Sequence, residues 1–333
     1  MRPFEYRRAE AAEAAVGQAG KFLAGGTTLL DLMKLDVERP AQVTDITRLP
    51  LREIAPDGEG GVRIGALATM TEVAEHDLIR SRYPALRQAL LAGASQQIRN
   101  MASMGGNVMQ RTRCPYFRDT AFAQCNKREP GSGCGALHGH SRKQAILGTS
   151  SDCIALHPSD ASVALVAYDA RLLLRGPGGE REVALADFNL LPGETPWLEH
   201  DLKEGELIVA LTLPAPIAGN GVYLKVRDRE SYEFALSSCA ATLDIEGGQG
   251  EGGTVKAARF ALGGVGTRPW RVPEAEALLV GQPATDETFT RAARLILAGA
   301  QTTAENAFKV PLTERVIVRA LRAAANGQQE GRA

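Results

Sequence analysis

The sequence predicts an α+β protein in two parts. Three observations carry that reading. Strands and helices alternate through the N-terminal third, a run of strands followed by a run of helices closes the chain, and a Pro/Gly break over residues 214–221 separates the two patterns. The chain of 333 residues has room for two or three domains, and its 44% hydrophobic and 23% charged composition is that of an ordinary globular protein.

Residues 9–16 are rich in Ala and Glu and read as a helix. Residues 21–24 read as a strand that runs into Gly25-Gly26-Thr27-Thr28, and residues 29–35 as a helix with Leu29, Leu30, Leu32 and Met33 as its apolar positions. Short strands are expected at 43–46 and 62–67, with helices at 70–81 and 83–92. Further on, 161–167 has a helical pattern, while 171–174 and 206–213 read as strands. Beyond the Pro/Gly break, strands are expected at 222–226, 237–245 and 255–262, the last two joined by the flexible connection EGGQGEGG. Helices at 273–280, 286–300 and 312–324 complete the chain, and the final NGQQEGRA is expected to fray. There is no internal repeat.

Composition removes several function classes. A net charge of -1 offers no broad basic field to nucleic acid or to an anionic membrane. No run of apolar residues is long enough for a transmembrane helix. The N-terminal MRPFEYRRAEAAEAAVG has no apolar segment of the kind a signal peptide needs, and the stretch after Arg7-Arg8 is too polar for an export signal.

Chemistry concentrates between Gln110 and Ala155. Four of the five cysteines, Cys114, Cys125, Cys134 and Cys153, lie there in a stretch without apolar periodicity. Loops this long without their own secondary structure are usually functional or disordered. Two disulfides would suit a secreted chain, which nothing else here suggests. Structural zinc usually takes close pairs such as C-x2-C, and the gaps here are ten, eight and eighteen residues. An iron–sulfur cluster also takes four thiolates and tolerates wider spacing, and Cys114-Pro115 is a weak hint toward it. From spacing alone, cluster, zinc and four unrelated thiols stay open. Cys239, in the apolar pattern SSCAATL, reads as a buried structural thiol.

Two glycine loops precede the cysteines: Ala24-Gly25-Gly26-Thr27-Thr28 and Ser103-Met104-Gly105-Gly106-Asn107. Glycines between a strand and a helix let backbone approach a ligand, and free N–H groups there suit phosphate. Neither loop is G-x-G-x-x-G or G-x4-G-K-[ST]. A lone Gly-Gly is more often a simple turn.

Taken together, KFLAGGTTLLDLMK (21–34), ASQQIRNMASMGGNVMQ (94–110) and HPSD (157–160) resemble the flavoprotein subunit of the molybdenum hydroxylases, the xanthine dehydrogenase and carbon monoxide dehydrogenase group. The resemblance extends through KVRDRESYEFALSSCA and FALGGVGTRPW. The four-cysteine insertion is similar to that of the branch holding aldehyde oxidoreductase and 4-hydroxybenzoyl-CoA reductase, where it carries a [4Fe-4S] cluster; the aldehyde oxidoreductase flavin subunits are the nearer likeness.

The resemblance implies an FAD-binding domain of the PCMH/vanillyl-alcohol-oxidase type over 1–216, in subdomains of about 1–58 and 59–216, with the iron–sulfur loop at 111–155. A C-terminal α+β domain of the CO dehydrogenase flavoprotein type follows over 217–325, and then a tail at 326–333. It implies that Ala24, Gly25, Gly26, Thr27, Thr28 and Leu29 wrap the FAD pyrophosphate, that Ser103, Gly105, Gly106 and Asn107 form a second contact, and that His157, Asp160 and Lys225 approach the flavin. It also implies that Cys114, Cys125, Cys134 and Cys153 hold the cluster, with His138 and His140 as substitutes should one thiol be free. Each residue has a plainer role: Asp160 as a helix cap, His157 as a packed loop histidine, Lys225 as a solvated lysine. The basic residues of the loop (Arg111, Arg113, Lys127, Arg128, Arg142, Lys143) have three roles open: offsetting cluster charge, a docking face, or solubility.

On this reading the chain is one subunit of a complex. It has no C-x4-C-x2-C ferredoxin spacing and is far shorter than a molybdenum enzyme requires. Its expected partners are a molybdenum-cofactor subunit and a [2Fe-2S] subunit, from which electrons pass through FAD to an external acceptor, with no nucleic acid and no membrane insertion. The expected location is the periplasm, as a passenger of an exported partner, or the cytoplasm. Two other readings remain: a self-sufficient flavin oxidoreductase on the same fold, similar to the enolpyruvate reductases, and a zinc-stapled binding module.

Overall fold

The alternation at the N-terminal end closes into a small parallel sheet. In the computed structural model, which describes residues 1–247 and 252–327, β1 (Glu5–Arg8) and β2 (Lys21–Leu23) both pair with β3 (Gln42–Asp45). The sequence reading has no strand at β1. All four of its residues are exposed, so no apolar alternation marks it; backbone pairing forms it, with Tyr6 and Arg8 reaching Asp45.

The second sheet is antiparallel throughout. It contains β4 (Ile54–Pro56), β5 (Val62–Gly65), β6 (Arg171–Gly176), β7 (Gly179–Ala184) and β8 (Leu207–Leu213), in the order β4-β5-β8-β6-β7. Helices Pro84–Ala92 and Asp160–Ala167 share its core, where Val62, Ile64, Leu86, Leu90, Leu165 and Leu211 are fully buried. The third sheet, β9 (Asn220–Val226), β10 (Ser237–Glu246) and β11 (Thr254–Gly263), is also antiparallel. Helices Asp286–Leu297 and Lys309–Ala325 pack on it through Phe289, Ile317 and Leu321. Cys239 is fully buried in that core, and burial pushes its thiol pKa far up. Residues 248–251, within the expected flexible connection, and residues 328–333 of the expected tail lie outside the described residues.

The helix expected over 70–81 is two helices, Met70–Glu75 and Asp77–Arg82. His76 between them is extended, and its Nδ1 accepts from the Leu78 N–H, so it caps the second helix. Apolar periodicity alone runs through such a break. A second feature ties the parts together. The buried Lys309 donates from Nζ to the carbonyls of Gln144 (2.9 Å) and Gly264 (2.8 Å), fastening the end of the cysteine loop to the third sheet. Burial lowers its pKa to about 7.

Candidate functional site

The two glycine loops face each other across a cleft of about 640 Å³. Ala24, Gly25, Gly26, Thr27, Thr28 and Leu29 line one wall, and Ser103, Gly105 and Gly106 line the other. The backbone explains the glycines. A Cβ on Gly25 would stand 1.8 Å from the Met101 carbonyl oxygen, and Gly26 holds a left-handed φ of 73°. Among the described residues, none of the backbone N–H groups of Gly25, Gly26, Thr27 and Thr28 donates a hydrogen bond. Four free donors on a tight turn at the cleft suit an anionic group such as a pyrophosphate. The second loop is differently built: the Ser103 hydroxyl accepts from Gly106 N–H, and Gly105 N–H donates to Ala66, so this wall is rigid.

The remaining expected residues stand behind that wall rather than on it. Asn107 is buried, and its Oδ1 accepts from the Ser159 hydroxyl at 2.6 Å. Ser159 caps helix Asp160–Ala167 by accepting from Ser162 N–H, so Asp160 is not the cap. Its carboxylate instead accepts from Tyr223 Oη (2.6 Å) and pairs with Lys225 Nζ (2.8 Å). Lys225 is no solvated lysine: its side chain is 4% exposed, and it also donates to the Ala92 carbonyl. His157 lines a separate small hollow that also holds Cys153, Asn189, Glu199 and His200. Its Nε2 is buried without a hydrogen-bond partner.

The structure gathers the four cysteines. Cys114, Cys125 and Cys153 are buried in one cluster with Leu32, Phe117 and Ile154, and Cys134 packs against it. Cys125 and Cys134 face each other across an isolated antiparallel bridge, and all four are free thiols. Burial pushes Cys114 up to about 11 and Cys153 to about 12, so only a bound cation would keep them as thiolates near neutrality. Among the described residues, no three His, Cys, Asp or Glu side chains converge closely enough to hold a metal ion. Four gathered thiols are the donor type that both structural zinc and iron–sulfur clusters take. His138 and His140 are exposed, and His140 turns to Glu305, away from the thiols.

Polar staples order this loop where apolar periodicity could not. The Arg128 guanidinium donates to the carbonyls of Tyr116, Phe117, Asp119 and Phe122. Arg113 and Arg118 both reach Asp31, on the helix that follows the first glycine loop. Arg142 and Lys143 pair with Asp228. Arg111, Arg113, Lys127 and Arg128 are therefore internal fasteners, whereas Arg142 and Lys143 keep about half of their side chains exposed.

Between thiols and cleft lies a charge cluster that the sequence reading did not assemble. Glu199 pairs with Arg111 and with Lys127 (2.9 Å), and Arg111 reaches on to Glu38 (2.7 Å). All four line the cleft. Burial alone would raise the Glu199 pKa, but Lys127 and Arg111 hold it down at about 2. Burial lowers His157 to about 3 and His200 to about 4, so both are neutral. The signs give a prediction. Below about pH 6.5 the unfolded chain protonates these histidines while the folded one does not, so stability that is full above pH 6.5 falls toward pH 4. The loss is about 1.4 kcal/mol per pH unit for each histidine. Glu199 joins only below its unfolded value of 4.5, as the pH falls toward about 2. Urea unfolding at pH 7.5 and 5.0 should show the decline, and His200→Gln should flatten it by about half; an equally steep decline in that variant would contradict the assignment.

Comparison with known proteins shows the family and the fold. Residues 1–216 match the FAD binding domain in molybdopterin dehydrogenase, and residues 222–324 match the CO dehydrogenase flavoprotein C-terminal domain. An aldehyde oxidoreductase FAD-binding subunit of Escherichia coli is 48% identical over 328 residues, covering 96% of this chain and 98% of that protein. The carbon monoxide dehydrogenase medium chain of Hydrogenophaga pseudoflava is 27% identical over 332 residues, 96% of each chain. Among solved structures, a carbon monoxide dehydrogenase of the same species superposes with a TM-score of 0.73 at 26% identity, covering 98% of this chain and 99% of that one. The mixed helix-and-strand fold, a flavin-binding domain followed by a flavoprotein C-terminal domain, is the one read from the sequence.

Proposed function

The chain belongs to the FAD-binding subunits of the molybdopterin dehydrogenases, and from this premise we propose that it is the electron-transferring flavoprotein subunit of an aldehyde-oxidising complex. The observation that carries the reading is the row of four free N–H groups at Gly25, Gly26, Thr27 and Thr28, opposite the rigid Ser103–Gly106 wall. In this proposal Ala24 to Leu29 hold the pyrophosphate of FAD, and Ser103, Gly105 and Gly106 set the width of the cleft. Asn107, Asp160 and Lys225 brace the flavin end through the Ser159–Asn107 bond and the Asp160–Lys225 pair, and His157 joins them by accepting at Nδ1 from the Ser159 N–H (3.4 Å). Bound flavin supplies the exchange of electrons; the protein orients it and sets its electrostatic surroundings.

The four gathered thiols support a [4Fe-4S] cluster as a second cofactor, held by Cys114, Cys125, Cys134 and Cys153. Lys127, whose charge bears on Cys153, offsets part of the negative charge such a cluster carries. The proposed partners are a molybdenum-cofactor subunit and a [2Fe-2S] subunit, with electrons leaving to an external acceptor. The isolated chain is expected to bind FAD and to show no aldehyde turnover, whereas the assembled complex turns over. Robust turnover by the isolated chain would favour a self-sufficient flavin enzyme instead.

A further inference from the structure

The cysteine loop is fastened to the elements around the cleft at two places, the helix Leu29–Lys34 and Glu199. Leu32, on the helix that follows the first glycine loop, is 1% exposed and packs in the same cluster as Cys114, Cys125 and Cys153 while also lining the cleft. Its neighbour Asp31 accepts from Arg113 and Arg118, which flank Cys114. On the opposite side, Glu199 receives Lys127, two residues after Cys125, and Arg111, three residues before Cys114. Lys127 donates as well to the Pro196 carbonyl, and Arg111 lies over the Phe117 ring at 4.5 Å. Lys127 and Glu199 line both the cleft and the hollow that contains Cys153, so they form the partition between the two.

We infer that the flavin cleft and the four-thiol site are energetically coupled through this partition, with Glu199 as its central positioning residue. The inference rests on the cofactor assignment above and adds to it a mutual dependence. Filling the thiol site draws the segments around Cys114 and Cys125 into one arrangement. Those segments carry Arg111 and Lys127, whose partners Glu199 and Glu38 line the flavin cleft, and Arg113 and Arg118, whose partner Asp31 lies on the helix whose Leu29 and Leu32 line it. Coupling through packed side chains and ion pairs needs such a contiguous network, and linkage requires the effect to be reciprocal: flavin tightens the thiol site by the same factor by which the occupied thiol site tightens flavin. Glu199 matters more than the exposed pairs because its side chain is 14% exposed and meets two cations at once, where solvent screens least.

The test uses the complex isolated without oxygen, and reads flavin affinity, iron and sulfide content, and far-UV circular dichroism separately. Removing iron by chelation should weaken flavin binding about tenfold at unchanged secondary structure. Adding FAD to the iron-depleted chain should slow alkylation of the four thiols by a comparable factor. Glu199→Gln should reproduce the flavin loss with iron still present, and Glu199→Asp, which keeps the charge, should restore most of it. Flavin affinity unchanged by iron removal, or equal in Glu199→Gln and wild type, would overturn the coupling. Wild-type chain lacking iron or flavin would instead overturn the cofactor assignment on which the coupling depends, and the separate readouts tell the two failures apart.

Discussion

Gly25→Ala is expected to leave a folded chain that binds flavin markedly more weakly. The added methyl would stand 1.8 Å from the Met101 carbonyl oxygen, 2.7 Å from its carbon and 3.2 Å from Ala102 Cα. All three are backbone atoms, so no rotamer change relieves the clash. One of the two loops must move, and these loops are the two walls of the cleft. Overpacking of this kind costs about 1–3 kcal/mol. Expressed in the bound geometry, that weakens flavin binding about 5- to 150-fold. Gly299→Ala is the control: nothing lies within 4 Å of its Cβ position, and flavin content should match wild type. Flavin retained at the wild-type ratio in Gly25→Ala would mean that the loop contact at Met101 does not shape the site.

Cys153→Ser is expected to remove most of the iron while the chain stays folded. Cys153 is 5% exposed inside the thiol cluster, and a serine hydroxyl there is a poor replacement for a thiolate ligand. With one corner lost, a cluster needing four thiolates should not persist through purification. The raised thiols add a pH signature: metal uptake must displace protons from Cys114 and Cys153, so iron incorporation should fall as the pH is lowered. Cys239→Ala separates ligand loss from a general loss of thiols. That residue lies in the third-sheet core, apart from the cluster, and its removal should leave the iron count unchanged. Iron retained in Cys153→Ser and lost in Cys239→Ala would reverse the assignment.

Local signals made much of the architecture legible. Strands β5 and β8 carry alternating or continuous apolar runs, and the helices that pack on the third sheet have clear apolar stripes, so periodicity finds them. The glycine loops were legible because the close approach at Gly25 and the left-handed turn at Gly26 leave a mark on residue type. Strand β1 was not legible, since its order comes from partners on β3 and not from its own exposed side chains. Nor was the Glu199 cluster. Arg111 and Glu199 are 88 positions apart, and Arg111 and Glu38 are 73 apart. A lone glutamate after Trp197-Leu198 carries no motif, and Arg111 and Lys127 read only as charges in a basic loop. Within HPSD the capping task belongs to Ser159, which leaves Asp160 free for Lys225 and Tyr223.

The central claim is that one chain holds a flavin and an iron–sulfur cluster side by side. It is tested most directly by counting flavin, iron, zinc and acid-labile sulfide on this chain after anaerobic isolation of the complex. The account predicts about one flavin with about four irons and four sulfides per chain, and no zinc. Flavin with zinc or without any metal would contradict the cluster and reduce the cysteine loop to a structural staple, and iron without flavin would contradict the reading of the cleft itself.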